Sequence, residues 1–330
     1  MTWKGRRVLI TGADGFIGSH VTEALVRAGA DVHAFCMYNS NGSAGWLDTS
    51  AEDIRASLTV HLGDIRDPKV VSDACCSIDV VFHLAALVAI PYSYVTPDSY
   101  IETNVRGTLN VLQAVCGHEC TRLVATSTSE VYGTPSTLPI TETHPLQGQS
   151  PYSATKIAAD KLCESFWNSF ETPVVVLRPF NTYGPRQSAR AVIPTILRQL
   201  LAGVDRVKLG SLDPRRDMTY VEDTVAGFLA AGMAPGIEGR TVQLGTGRTE
   251  SIREIFDTAV QVTGVDATVE HDKNRVRPAR SEVMVLQSDP TLARELLGWE
   301  ATVSLEDGIR LTVDWMRERP AVANPSSYVI

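Results

Sequence analysis

The sequence predicts an α/β protein, a doubly wound parallel sheet carrying a smaller, interleaved α/β unit. Three observations predict it. Short apolar runs rich in β-branched residues alternate with longer helical patterns from the start of the chain. Those runs are nearly continuous in hydrophobicity, as strands are when helices cover both sheet faces. A cluster of glycines directly follows the first run, at the turn where such a sheet binds ligands.

The elements follow in order. Strands are predicted at residues 8–11, 32–35, 58–62, 80–84, 123–127, 174–177 and 242–244, with the first helix over 17–28. Helices over 100–116 and 152–170 come next, the second entered through Ser150 as N-cap and Pro151 at the first helical position. Ser251 with Glu254 reads as a capping box, and Asp289 before Pro290 is expected to open a helix in the same way. Residues 39–45, 133–145 and 183–185 are Gly- and Pro-rich loops. The pattern loosens after residue 181, so 1–181 with 221–249 is read as the sheet domain and 182–220 with 250–330 as the second domain. The tail from Pro320 to Ile330 is expected to be poorly ordered.

Composition narrows the classes. The 330 residues are 44% hydrophobic and 21% charged, which excludes a disordered, collagen-like or coiled-coil chain. Thirty basic against 38 acidic residues give a net charge of −8, which disfavours nucleic acid and anionic lipid as partners. The longest apolar stretch, residues 80–90, falls short of the roughly 20 residues that span a bilayer. Residues 1–7 are basic but lead into the first strand without an apolar signal region, so a cytoplasmic address is expected. Six cysteines without a C-x-x-C pair read as reduced thiols. Cys116 and Cys120 have the spacing of one helix face, but no second ligand pair accompanies them, and no metal is expected.

The chemistry begins at Thr11-Gly12-Ala13-Asp14-Gly15-Phe16-Ile17-Gly18. Three glycines at a strand-to-helix turn let backbone amides approach a pyrophosphate, which predicts a dinucleotide site. Tyr152 and Lys156 lie four apart on a helix, so the ammonium is expected near the phenol, favouring phenolate. Thr128, at the end of a predicted strand, offers a hydroxyl to a substrate alcohol. The second strand ends in Cys36, Met37, Tyr38 and Asn39 instead of the acid that binds an adenosine ribose. Asn39 and Ser40 can hydrogen-bond that ribose, and no Arg stands there for a 2′-phosphate. NAD is therefore expected, with NADP as the alternative.

The G-x-x-G-x-x-G spacing together with Tyr152-x-x-x-Lys156 resembles the short-chain dehydrogenase/reductase superfamily of Rossmann-fold enzymes. Gly63-Asp64-Ile65, His83-Leu84-Ala85-Ala86, Asn104, Glu130-Val131-Tyr132-Gly133 and Arg178-Pro179-Phe180-Asn181-Thr182-Tyr183-Gly184-Pro185 extend the resemblance, over nearly the whole chain, to its nucleotide-sugar epimerase/dehydratase branch. The resemblance implies a tightly held cofactor on Gly12, Asp14, Gly15, Phe16, Ile17 and Gly18. Asp64 and Ile65 would lie at adenine, Leu84, Ala85 and Ala86 at pyrophosphate, and Thr126, Tyr152, Lys156 and Phe180 toward nicotinamide. It also implies a homodimer through the helices over 100–116 and 152–170.

Within this branch the triplet Thr128-Ser129-Glu130 resembles GDP-mannose 4,6-dehydratases and also UDP-glucuronate decarboxylases. A 4,6-dehydratase needs a carboxylate to remove the C5 proton once C4 is a ketone, and Glu130 is placed for that. Residues 87–94, 144–147, 186–194 and 213–217 resemble GDP-N-acetylglucosamine 4,6-dehydratases of legionaminic acid synthesis. Asn181, Arg186, Arg190, Val192 and Arg216 are the expected substrate residues, with Arg216 the preferred phosphate ligand. The expected partner is thus a nucleotide-diphosphate sugar. The alternatives are a UDP-glucuronate decarboxylase or 4-epimerase using the same Tyr152 and Lys156, and, in another class, a non-catalytic cofactor-sensing protein.

Overall fold

The computed structural model describes residues 2–278, 280–319 and 324–328. Parallel strands β1 (Arg7–Thr11), β2 (Asp31–Met37), β3 (Leu58–Gly63), β4 (Val80–His83), β5 (Arg122–Thr126) and β6 (Val174–Pro179) alternate with helices. These are α1 (Phe16–Arg27), α2 (Glu52–Ala56), α3 (Pro68–Cys75), α4 (Ile90–Ser93), α5 (Pro97–Tyr100), α6 (Gly107–Gly117) and α7 (Pro151–Phe170). Then come β7 (Asn181–Tyr183), α8 (Val192–Leu201), β8 (Arg206–Leu209), β9 (Arg215–Arg216), β10 (Met218–Tyr220) and α9 (Val221–Met233). The chain closes with β11 (Thr241–Leu244), β12 (Glu250–Ser251), α10 (Ile252–Thr263), β13 (Thr268–His271), β14 (Val285–Leu286), α11 (Thr291–Leu297) and α12 (Leu305–Arg317).

The central sheet has seven strands in the order β11-β6-β5-β4-β1-β2-β3, every pair parallel. Side-chain alternation divides its core between two layers. Val8 and Ile10 of β1 pack with Val21 and Leu25 of α1 and Phe228 of α9, whereas Leu9 packs with Val71 of α3, Val111 of α6 and Cys163 of α7. Both faces are therefore apolar, which is why the strands read as continuous runs. The remaining strands form small sheets: β7 with β10, β8 with β13, and β12-β9-β14. None of the described helices is long and apolar enough to cross a membrane.

Side-chain caps fix four of the described α-helix starts, those of α3, α7, α10 and α12. Ser150 accepts the amide of Ser153 and Pro151 opens α7, while Ser251 and Glu254 close a reciprocal capping box on α10. Four local expectations change. Helix α11 starts one residue later than expected, with Pro290 at its boundary, while the Asp289 carboxylate still accepts the amide and hydroxyl of Thr291 as a capping side chain does. α6 ends at Gly117, so exposed Cys116 and buried Cys120 share no helix face. The helix expected over 100–116 is interrupted by a π-helical stretch, Ile101–Arg106. Of the tail, residues 320–323 and 329–330 lie outside the described residues. Residues 324–328 are tied down, contrary to expectation: Arg275 donates to the Ser326 carbonyl at 2.8 Å and lies over the Tyr328 ring.

Candidate active site

The carboxyl ends of β1, β4, β5 and β6 supply the groups the sequence singled out. At the β1–α1 turn Gly12 has φ +71°, and a Cβ there would come within 2.7 Å of the Ala85 amide nitrogen. A Cβ on Gly18 would lie 2.0 Å from the Gly12 carbonyl oxygen. Only glycine permits this contact between turn, helix and the 84–86 segment. Gly15 caps α1 without a side chain and the first turn, from Phe16 and Ile17 through Gly18, holds no acid, so its amides remain available to an anion. Behind the turn, Thr11 receives the Ala85 amide on its hydroxyl and the Leu84 amide on its carbonyl.

The end of β2 holds a carboxylate after all, donated by another segment. Asp14 reaches across from the glycine turn to the Met37 amide at 3.4 Å, and burial pushes its carboxyl pKa up. Sequence reasoning missed this because it looked for the acid on the strand itself. The Asn39 side chain instead bonds its own loop, through Met37, Asn41 and Ser43, and Ser40 is exposed. Asp64 is held by the Arg66 guanidinium, which lowers its pKa. Ile65 is buried over Gly107, and Ala86 is half-buried at the start of the following loop.

On α7 the four-residue spacing puts Tyr152 and Lys156 on one buried face, with Asn104 of the π-helical stretch tied to the Thr155 hydroxyl beside them. Lys156 donates to the Thr126 carbonyl. The expected lowering of the Tyr152 pKa does not occur here: burial drives the phenol well above its ordinary range, and a hydrogen bond with Thr128 opposes this only in part. Burial also lowers the Lys156 pKa. Thr128 caps the short turn Ser129–Tyr132, receiving the Glu130 amide at 3.2 Å; Ser129 is buried and Glu130 half-buried.

The three expected arginines are not brought together. Arg186 pairs with Glu23 of α1 at 2.6 Å, and exposed Arg190 bonds the Ser188 hydroxyl, its charge felt at Tyr100. Val192, half-buried, begins α8. Buried Arg216 pairs with Glu282 at 3.0 Å; burial lowers its pKa, with Glu130 and Glu282 opposing and Arg277 reinforcing. Glu130, Arg216, Arg277 and Glu282 thus form one charged cluster. Arg277 and Glu282 were missed because an arginine and an acid in a loop carry no local signal. The Tyr94 hydroxyl meets the Ser281 hydroxyl at 2.5 Å, linking the segment after α4 to this loop. Phe180 is buried, 6.4 Å from the Tyr132 ring centroid.

Three buried polar atoms around this cleft lack a hydrogen-bond partner: Thr126 Oγ1, Asn181 Oδ1 and Arg277 Nη1, the last with only the longer ion pair to Glu282 at 3.7 Å. Buried donors and acceptors are ordinarily satisfied, so these fit a polar ligand. Together with the glycine cradle, they suit a dinucleotide and a phosphorylated substrate. Among the described residues, no group of three or more His, Cys, Asp or Glu is arranged to hold a metal ion.

Comparison with known proteins agrees with this geometry. The family described as GDP-mannose 4,6 dehydratase matches residues 9–312. The chain belongs to that family. It is 32% identical to a UDP-N-acetyl-alpha-D-glucosaminuronate decarboxylase of Bacillus cytotoxicus over 324 residues, covering 95% of this chain and 98% of that one. It is 31% identical to a dTDP-glucose 4,6-dehydratase of Actinoplanes over 322 residues, covering 94% and 98%. Among solved structures, a UDP-glucuronic acid 4-epimerase variant from Bacillus cereus, in complex with a fluorinated UDP-sugar and NAD, superposes with a TM-score of 0.86 at 27% identity, covering 94% and 99%. This GDP-mannose 4,6-dehydratase family member is therefore an enzyme of the nucleotide-sugar dehydratase and epimerase superfamily.

Proposed function

We propose that this protein is a nucleotide-sugar 4,6-dehydratase that converts GDP-linked N-acetylglucosamine to its 4-keto-6-deoxy product. The observation that carries the reading is Glu130, a half-buried carboxylate whose charge acts on both the Tyr152 phenol and the Arg216 guanidinium. An epimerase has no use for a base at that point, whereas water elimination requires one. The family match and the segments around residues 87–94 and 186–194 support the GDP-sugar.

NAD is the cofactor. Its fit rests on the glycine cradle and on Asp14 at the end of β2, a carboxylate that would repel a 2′-phosphate. When bound, NAD supplies a positively charged hydride acceptor for sugar C4 and returns that hydride to C6. Burial alone keeps the Tyr152 phenol protonated, so the positive charges of Lys156 and of the bound cofactor must draw that proton off; as phenolate Tyr152 takes the proton from the C4 hydroxyl, which Thr128 orients. Glu130 removes the C5 proton, now acidic beside the ketone, and passes it to the C6 oxygen, which leaves as water; as hydride adds to C6 of the resulting enone, C5 takes a proton from solvent and the proton held by Tyr152 is released to solvent. Buried Ser129 orders that oxygen. Arg216 and Arg277 take the diphosphate, and Asn181 the sugar. Residues 1–181 with 221–249 hold the cofactor and 182–220 with 250–330 the nucleotide sugar, in a homodimer built on α6 and α7; sedimentation measures that assembly.

Mass spectrometry after incubation with GDP- and UDP-linked N-acetylglucosamine, GDP-mannose and UDP-glucuronate in heavy water tests the reading. Loss of one water with deuterium at C5, preferentially from the GDP-linked amino sugar, is expected. Loss of carbon dioxide, or an isomer of unchanged mass, overturns it.

A further inference from the structure

The geometry points to Asp160 as a positioning residue that joins the Tyr152–Lys156 face to the Thr128–Glu130 segment through one buried carboxylate. This role rests on those proposed for Tyr152, Lys156 and Glu130, none of which Asp160 shares. It lies one helical turn beyond Lys156 on α7 and is buried. Its Oδ2 accepts three hydrogen bonds: from the Ser127 hydroxyl at 2.8 Å, and from Arg178 Nε and Nη2 at 3.1 and 2.8 Å.

Each contact leads to a different part of the site. Ser127 directly precedes Thr128, so the carboxylate fixes the point from which the catalytic segment leaves β5. Arg178 of β6 passes the link to the Tyr132 hydroxyl at 3.1 Å, at the far end of the turn containing Glu130. Tyr132 then donates to Gln243 of β11 at 3.0 Å, and Gln243 donates to the carbonyls of Ile140 and Asp289. The turn carrying Ser129 and Glu130 is thereby held at both ends by groups that converge on Asp160. A buried, fully connected polar network of this kind fixes geometry more than it adds stability.

The same carboxylate acts on the catalytic face electrostatically. Lys156 faces Asp160 and the Cys163 thiol from its own helix and His83 from β4. Asp160 in turn meets Arg178 and Ser127, and borders a cavity of about 270 Å³ that Lys161, Glu164 and Arg240 also line. Burial alone favours a neutral Lys156, and the Asp160 charge opposes it. Removing that charge lets Lys156 lose its proton at lower pH.

The decisive experiment is Asp160→Asn in full-length protein carrying lysine labelled with 13C at Cε. The chain has six lysines, and the Lys156 signal is assigned by its loss in Lys156→Met. We expect the Lys156 midpoint to move to lower pH, a shift that needs neither sugar nor cofactor. We also expect kcat to fall by roughly a hundredfold with little change in KM, as when a reacting group is displaced by ~1 Å. Since Asp160→Asn leaves the Arg178 charge without its carboxylate in the interior, Asp160→Asn/Arg178→Gln provides a neutral replacement should the single variant not fold. A folded variant with an unmoved Lys156 midpoint and unchanged kcat overturns the proposal. Wild-type protein that turns over no nucleotide sugar removes the proposed function instead, and the Lys156 titration still decides whether Asp160 holds that charge.

Discussion

The two faces of the cleft are built on different principles. The cofactor face is local and steric: residues 11–18 are contiguous, and their fitness depends on what a Cβ would strike. The proposed substrate face is assembled from distant parts, with Glu130 after β5, Arg216 on β9, and Arg277 and Glu282 in the loop before β14, held by charge. Steric recognition tolerates almost no substitution but is indifferent to pH and salt. Charge recognition tolerates shape changes and depends on partners.

The largest expected loss lies where the faces meet. Tyr152→Phe removes the proposed proton acceptor and is expected to lower kcat by roughly 10³-fold, measured as product formed in single turnover; a variant retaining wild-type turnover assigns the base elsewhere. On the cofactor face, Gly18→Ala forces a Cβ into the Gly12 carbonyl. It should cost about 3 kcal/mol of stability and abolish cofactor retention, read from melting curves with and without NAD. On the substrate face, Arg277→Lys keeps the charge but loses the planar fork. KM for the nucleotide sugar should rise about tenfold, about 1.4 kcal/mol, with melting temperature nearly unchanged. If Arg277→Lys melts as low as Gly18→Ala, the contrast between the faces collapses.

The smallest effect is a pH limb at the Glu23–Arg186 pair. Burial pushes the Glu23 carboxyl up, but hydrogen bonds from Ser50 and Arg186 and the charges of Arg186 and Arg27 outweigh it, leaving it below its ordinary 4.5. A depressed carboxyl contributes its stability fully above 4.5 and loses it as pH falls through the lower folded value. Glu23→Gln should therefore reduce stability near neutrality and flatten the fall in melting temperature on acidification. A parallel downward shift at every pH would place the contribution in packing.

Legibility in the sequence followed the range of the interaction. Gly12, Gly15 and Gly18, the Tyr152–Lys156 spacing and the caps at Ser150 and Ser251 announce themselves within a few residues, because each is fixed by backbone geometry nearby. Asp289 before Pro290 was legible in the same way, its carboxylate accepting the Thr291 amide, with the helix boundary one residue later. Asp14 went unread as the acid beside β2 because the contact crosses from another strand's turn. The Tyr152 pKa was misjudged because spacing shows that Lys156 is near but not that burial outweighs it or that the ammonium turns to Thr126.

By itself, then, the sequence determined the doubly wound sheet, the dinucleotide turn and the family. Hydrophobic periodicity, glycine placement and four-residue helical spacing are all short-range properties of a chain. Only the tertiary structure decided which charges meet: Arg186 with Glu23, Arg216 with Glu282 and Glu130, Arg178 with Asp160. It also decided the directions in which burial moves the two titrations, Tyr152 up and Lys156 down. Coulomb and desolvation energies depend on distances and burial through space, and those exist only once the strands have been ordered into the sheet.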